Sequence, residues 1–384
     1  MKIGVIGVGK LGLSFSLLSE RKGIEVICSD FNKSYVDSLS NKTLKTDEPL
    51  IEEYLLSSKN IQFTTDNSEI IRKTDLIFTF VATPSLLDGD YDHTFVDMVV
   101  EDFINLSNQI DLSNKKFVIG CTVNPGYTDT VQEKLEQYGV KVFYNPEFIR
   151  QGNIIEDLMN CDFILLGNRP KDNTTDIKEV YRKFTKDVIF KEMTPTAAEI
   201  TKIGLNCYLT TKISFANMIG QICHNTGIEG EISTVLDTIG SDSRVGNKFL
   251  KFGYGFGGPC LPRDNRALGK HAEKVGLQFN IPNVIDEFNK NHLQFLVSKI
   301  VTENPNKNFP LVFDSITYKK GINITTDSQQ LLLLESLLEQ GYTCFIYETD
   351  LVRSSLEKDL VCKYGNKVRF MDKGSLVLGK RIVI

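Results

Sequence analysis

The opening stretch MKIGVIGVGKLG, residues 1–12, constrains the fold more than any other part of this 384-residue chain. Lys2–Ile6 reads as a short apolar strand. Gly7-Val8-Gly9-Lys10-Leu11-Gly12 follows as a G-x-G-x-x-G turn that opens a helical pattern over Leu11–Arg21. The glycines of such a turn permit a tight bend and the close approach of a pyrophosphate, which the helix N-terminus then stabilises. The pattern alone is weak, because a βα turn can hold glycines for structural reasons only. Asp30 adds weight: it ends the next strand, Glu25–Ser29, at the spacing of an acid that binds the adenosine ribose. A carboxylate there repels the 2′-phosphate of NADP. The expected cofactor is therefore NAD, held by Gly7, Gly9, Lys10, Leu11, Gly12 and Asp30, with Lys33 the nearest cation.

The alternation continues. Leu76–Val81, Phe117–Cys121, Lys141–Phe143 and Phe163–Leu166 read as strands, and amphipathic stretches such as Thr130–Gln137 fill the gaps. Repeated βαβ order implies an α/β fold with a parallel sheet covered on both faces. Val81-Ala82-Thr83-Pro84-Ser85 closes one strand at the sheet end where ligands lie; Thr83 either contacts the cofactor or caps a helix, and spacing leaves both open. Thr194-Pro195 has the form of an N-cap followed by proline at the first helical position. The helical pattern then runs to about His224, before Asn225-Thr226-Gly227, a length that suits a bridge between domains. Pro305-Asn306-Lys307-Asn308 reads as a linker. Beyond it, Phe309–Ile316, Ser328–Gln340 and Thr343–Tyr347 read as strand, helix, strand, with Gly341 placed as a helix C-cap.

Composition narrows the functional classes. A net charge of −5 argues against nucleic-acid and anionic-membrane partners. The sequence shows no apolar run of membrane-spanning length and no signal-peptide pattern. Its eight cysteines form no C-x-x-C pair, so a reduced, cytoplasmic protein without structural zinc is expected, and no metal site.

FGYGFGGPCLPRD, residues 252–264, carries the strongest chemical signal. A glycine-rich turn delivers Cys260, and Asp264 follows four residues later. If the chain is helical from Leu261, both side chains share one face and the helix N-terminus lowers the thiol pKa. Taken alone, the segment fits a presented thiol or a tight turn beside a buried cysteine equally well.

These motifs together resemble the nucleotide-sugar 6-dehydrogenases of the UDP-glucose/GDP-mannose dehydrogenase family, nearly end to end. VIGVGKLGL (5–13), FVATPS (80–85), CTVNPG (121–126), YNPEFIRQG (144–152), AEITKIGLN (198–206) and SRVGNKFLKFGYGFGGPCLPRD (243–264) match the family's motifs in the family's order. The resemblance implies an N-terminal Rossmann NAD domain (1–194), a central helical dimerisation domain with the cysteine loop (195–304) and a smaller, Rossmann-like C-terminal domain binding the nucleotide sugar (305–384). It implies oxidation of the sugar C6 alcohol to a carboxylate with two NAD reduced, through a thiohemiacetal and thioester on Cys260. Lys202 and Asn206, one helical turn apart, are expected to donate to the oxyanion. Asp264 and Thr122 are expected to hold a water, and Glu147 to activate water or hold the intermediate. Thr83, Thr122 and Arg263 join the cofactor set. Glu147, Phe148, Ile149, Lys202, Asn206, Phe249, Leu250, Lys251, Tyr254 and Gly257 are expected around the nucleotide sugar. Arg244 is expected to reach across a homodimer.

Departures from the family pattern bear on the substrate. Gln151 replaces a second glutamate, Pro259 replaces a small residue, and Ile324-Thr325-Thr326 lacks the arginine of the family's Asp-x-Arg. The chain also closes at 377–384 with little of the family's final segment. GDP-mannose or an amino sugar therefore stands beside UDP-glucose as substrate. Two other readings remain: a two-electron hydroxyacid-type dehydrogenase, which needs no cysteine loop, and a catalytically silent relative that only binds.

Overall fold

Eight strands of the N-terminal unit form one sheet: β1 (Lys2–Ile6), β2 (Glu25–Ser29), β3 (Ile61–Thr64), β4 (Leu76–Thr79), β5 (Lys116–Ile119), β6 (Lys141–Tyr144), β7 (Ile164–Gly167) and β8 (Phe190–Met193). Their order is β3-β2-β1-β4-β5-β6-β7-β8, and every pair is parallel except β6 with β7. The order reverses between β1 and β4, the switch point at which doubly wound sheets bind ligands. This computed structural model describes all residues except Lys186, Lys373, Gly374, Leu376, Val377 and Val383, so two residues of the closing 377–384 segment lie outside the described set.

Local chemistry accounts for the difference between the expected and observed strands. β1, β2, β4, β5 and β7 are almost wholly buried apolar runs, as strands covered on both faces must be. β3 and β8 are edge strands with exposed or half-exposed residues, and their polar composition hid them from the pattern. β4 and β5 stop two residues earlier than expected because Phe80–Ser85 and Gly120–Gly126 leave the ladder to form loops at its end. Apolar side chains pack on both faces of the sheet. One face includes an aromatic group of Phe15, Phe78, Phe80, Tyr181 and Phe184.

The chain divides into two units, residues 1–203 and 204–384. The 31-residue helix Pro195–Asn225 starts in the first and continues into the second, close to its expected bounds. In the second unit, helices Ile232–Ser241, Leu261–Lys274 and Ile281–Glu303 precede a four-stranded parallel sheet. Its strands are β9 (Leu311–Phe313), β10 (Cys344–Tyr347), β11 (Val368–Met371) and β12 (Lys380–Arg381), in the order β11-β10-β9-β12. Ser328 caps helix Gln329–Glu339 by accepting from the Leu331 N–H, and Gly341 follows with a φ of 92°. Leu333, Leu334, Leu337 and Phe313 lie at the centre of this smaller α/β core.

Candidate active site

In the N-terminal unit the three glycines of the first turn do different work. A Cβ on Gly12 would stand 2.1 Å from the Gly7 carbonyl oxygen, and one on Gly7, at φ +85°, would stand 2.8 Å from the Val81 nitrogen. Both therefore hold the turn closed against its neighbours. Among the described residues, nothing lies within 4 Å of the Gly9 Cβ position and no side chain caps the helix Lys10–Arg21 that it precedes. An open glycine in front of uncapped N–H groups fits a pyrophosphate. Asp30 is fixed at the end of β2 by accepting from the Val8 and Asn32 N–H groups at 3.3 and 3.1 Å. Leu11 is half-buried behind the turn. Lys10 pairs with Asp47 at 2.6 Å, and the exposed Lys33 pairs with Asp37 at 3.4 Å.

Thr83 is buried, and its hydroxyl donates to the Thr122 carbonyl at 2.7 Å, which ties the loops after β4 and β5 together. Two further groups secure the Thr122 loop. The Asn124 N–H donates to His93 Nε2 at 3.2 Å. Glu199, wholly buried on the long helix, accepts from Gly126 N–H at 2.5 Å and Thr128 N–H at 2.8 Å. Burial pushes the Glu199 carboxyl up to about 7 against those hydrogen bonds.

Glu147 leaves β6 into a buried polar pocket. Its backbone carbonyl accepts from Lys202 Nζ at 2.7 Å, and that ammonium lies 4.6 Å from the centre of the half-buried Phe148 ring. Its side chain is bonded to the Tyr181 hydroxyl. Burial pushes the carboxyl up to about 7, opposed by Tyr181 and Lys202. Ile149 is half-buried, and the buried amide oxygen of Gln151 has no hydrogen-bond partner among the described residues.

In the C-terminal unit Cys260 is exposed, which removes the buried-cysteine reading. It is the N-cap residue of helix Leu261–Lys274, and its carbonyl accepts from the Asp264 N–H at 2.9 Å. Asp264 has no solvent exposure; it accepts from Asn206 Nδ2 at 2.6 Å and from Arg263 Nε at 3.0 Å. One Asn206 N–H is thus already engaged, which leaves the other for an oxyanion.

The glycine loop is held by residues that the motifs did not reveal. Asn217 accepts from the Gly253 N–H and donates to the Tyr254 carbonyl. Asn289 accepts from the Phe256 N–H and donates to the Phe256 carbonyl, both at 3.0 Å. His292 bonds the Gly253 carbonyl through Nε2 and Gln221 through Nδ1, each at 2.8 Å. Burial holds this imidazole below the usual histidine range. The available signal was polar side chains at buried helix positions, which need backbone partners. A Cβ on Gly257 would meet the Asp327 carbonyl oxygen at 2.4 Å. The Leu250 side chain packs in a core with Ala216 and Leu236, so its backbone alone can meet a ligand. Phe249 and Lys251 are exposed, and burial pushes the Tyr254 hydroxyl up to about 12. Arg244 is exposed and forms a two-pronged pair with Asp242. Among the described residues no cluster has the makings of a metal site, and no helix is long and apolar enough to cross a membrane.

The chain matches the NAD binding domain of the UDP-glucose/GDP-mannose dehydrogenase family over residues 1–185 and that family's central domain over 196–291. It is 34% identical over 310 residues to UDP-glucose 6-dehydrogenase TuaD of Bacillus subtilis (strain 168). That match covers 78% of this chain and 65% of the relative. A UDP-glucose dehydrogenase structure from Pyrobaculum islandicum superposes with a TM-score of 0.86 at 25% identity, covering 97% of this chain and 86% of that one. A UDP-D-ManNAc dehydrogenase structure from Pyrococcus horikoshii shares the fold at 21% identity and a TM-score of 0.79, covering 90% of this chain and 83% of that one.

Proposed function

The chain belongs to the UDP-glucose/GDP-mannose dehydrogenase family, and from that membership we propose that it oxidises the C6 alcohol of a nucleotide sugar to the uronic acid, with UDP-glucose as the first substrate to try. The observation that carries this reading is Cys260: an exposed thiol at the head of a helix, one turn before a buried Asp264 anchored by Asn206. A two-electron hydroxyacid dehydrogenase has no use for that arrangement.

Bound NAD supplies a hydride acceptor for each of the two oxidations. The protein's part falls to its own residues. Gly9 and the helix N-terminus behind it receive the pyrophosphate, and Asp30 receives the ribose. The Cys260 thiolate adds to the C6 aldehyde and later leaves from the acyl carbon as water adds. Lys202 and Asn206 donate to the oxygen that gains charge. Asp264 and Thr122 hold the water that accepts the alcohol proton, and Glu147 takes the proton of the hydrolytic water. Arg263, paired with Asp264, faces a cofactor phosphate. Phe148, Ile149, Phe249, Lys251, Tyr254, Gly257 and the Leu250 backbone surround the nucleotide sugar. The proposal includes the three-part division at 194 and 304, and a homodimer in which Arg244 completes the partner's site.

The test is product stoichiometry. Purified protein with NAD is offered UDP-glucose, UDP-N-acetyl sugars and GDP-mannose, and NADH is counted per sugar consumed. Two NADH and a uronic acid support the proposal, and the preferred sugar identifies the substrate. One NADH with a released aldehyde or ketone overturns it in favour of two-electron chemistry. Binding without turnover of any sugar marks a silent relative.

A further inference from the structure

Three buried side chains of the N-terminal unit stand in a row: Asn145, Tyr181 and Glu147. The Tyr181 hydroxyl lies 2.6 Å from Asn145 Oδ1 and is also bonded to Glu147 Oε1. The orientation of Asn145 is fixed, because its Nδ2 donates to the Leu165 carbonyl at 3.0 Å. Its oxygen therefore faces Tyr181. Two oxygen–oxygen contacts need two protons, and a hydroxyl has one. The second must sit on Glu147. When Glu147 is neutral, it donates to Tyr181 and Tyr181 donates to Asn145. When Glu147 ionises, the Tyr181 hydrogen turns from Asn145 to the carboxylate.

We infer that Asn145 and Tyr181 form a two-position proton switch that lets the buried Glu147 carboxyl release and retake a proton without ever becoming an unpaired charge. Both are positioning residues; neither touches the reacting atoms. The switch has a clear use if Glu147 is the base for hydrolysis. Water adds its oxygen to the acyl carbon, its proton moves to Glu147, the carbon–sulfur bond breaks and Cys260 leaves as thiolate. The Tyr181 hydrogen then returns to Asn145. Among the described residues, the titratable groups that act on Glu147 besides Tyr181 are Lys202, whose ammonium bonds the Glu147 backbone carbonyl, and the half-buried Cys161 thiol. The rise of the Glu147 carboxyl to about 7, caused by burial, leaves both the neutral and the ionised form populated near neutral pH, as the switch requires.

The two positioning residues act in opposite directions. Tyr181→Phe removes the donor that stabilises the carboxylate, so the midpoint rises. Asn145→Ala removes the competitor for the tyrosine hydrogen, so the midpoint falls. Each shift should be about one pH unit, a tenfold change in the acid equilibrium. The midpoint is read directly by infrared titration of the protonated carboxyl band of the whole protein, assigned by its loss in Glu147→Gln. Opposite shifts support the switch; shifts of one sign, or none, overturn it. If thermal melting shows that Asn145→Ala does not fold, Tyr181→Phe decides alone: an unmoved or lowered midpoint overturns the inference. The kinetic consequence rests on the proposed role of Glu147, and there the acid limb of kcat should follow the infrared midpoint with KM unchanged. Infrared shifts without kinetic ones would reject that role and leave the switch standing.

Discussion

Single residues carry the acid–base behaviour of the N-terminal unit. Glu147 and Glu199 both have carboxyls raised by burial to about 7. A group with a raised native pKa keeps its proton in the folded state after the unfolded chain has lost it. Between about pH 4.5 and pH 7 the native state therefore binds more protons, and stability falls as pH rises through that window. Glu199→Gln keeps an acceptor for the Gly126 or Thr128 N–H but cannot ionise. Relative to wild type, this variant should gain stability on going from pH 5 to pH 8, on the order of 3 kcal/mol at most. Paired urea titrations at the two pH values measure it, and a pH-independent difference would mean that Glu199 is ionised throughout. At Cys260 the expectation is chemical. Cys260→Ala removes the proposed nucleophile from an exposed position, so it should fold, bind NAD and form no uronic acid. Calorimetry with NAD and mass analysis of the products check both halves.

At the scale of elements, the glycine turn after β1 separates folding from binding. Gly12→Ala drives a Cβ into the Gly7 carbonyl at 2.1 Å, contact with backbone that cannot move aside, so the βα unit should lose stability by a few kcal/mol. Gly9→Ala meets nothing, so its melting temperature should stay near wild type while its NAD affinity drops at least tenfold. Equal damage to both properties in both variants would contradict the division of labour. The glycine loop invites a parallel test. His292→Ala removes the bond to the Gly253 carbonyl and its link to Gln221, so KM for the nucleotide sugar should rise severalfold while NAD affinity is unchanged. How much of each element was legible follows from the same chemistry. The turn at Gly7–Gly12 and the loop at Cys260 carry backbone demands that only glycines and a cap position satisfy, so the sequence displays them. Asn217, Asn289 and His292 serve the loop from distant helices, and a polar residue inside a helical pattern looks the same whether it faces water or a buried carbonyl. Edge strands β3 and β8 were hidden because one half-exposed strand resembles a loop. Tyr181 was hidden because nothing in a tyrosine's position on an amphipathic helix reveals a carboxyl partner from the loop after β6.

At the scale of the whole molecule, the long helix Pro195–Asn225 raises the question of assembly. Tyr208, Phe215 and Ile222 recur at intervals of seven, with Met218 between the last two, and all are well exposed. Such spacing places them on one stripe of the helix, where an uncovered apolar surface is costly. A second copy of the same helix is the occupant that the proposed homodimer supplies, since a two-fold interface presents the same patch on both sides. Ile222→Glu should therefore yield a monomer in sedimentation at micromolar concentration. Arg244 makes the stronger test, because it is exposed and, among the described residues, its side chain pairs with Asp242 alone, a surface pair that a neighbour can displace. Suppose each site takes Cys260 from one protomer and Arg244 from the other. Cys260→Ala and Arg244→Ala homodimers are then both impaired. A mixed dimer of the two has one site with both residues intact, built on the Arg244→Ala chain's cysteine and the other chain's arginine. Random reassociation makes half of the dimers mixed, so about a quarter of wild-type activity should return when the two variants are unfolded and refolded together. If Arg244 served its own protomer's site, no combination would rebuild an intact one, and the mixture would be no more active than the average of the two variants. Placing Ile222→Glu in both chains should abolish the recovery, which ties the restored activity to the helix stripe.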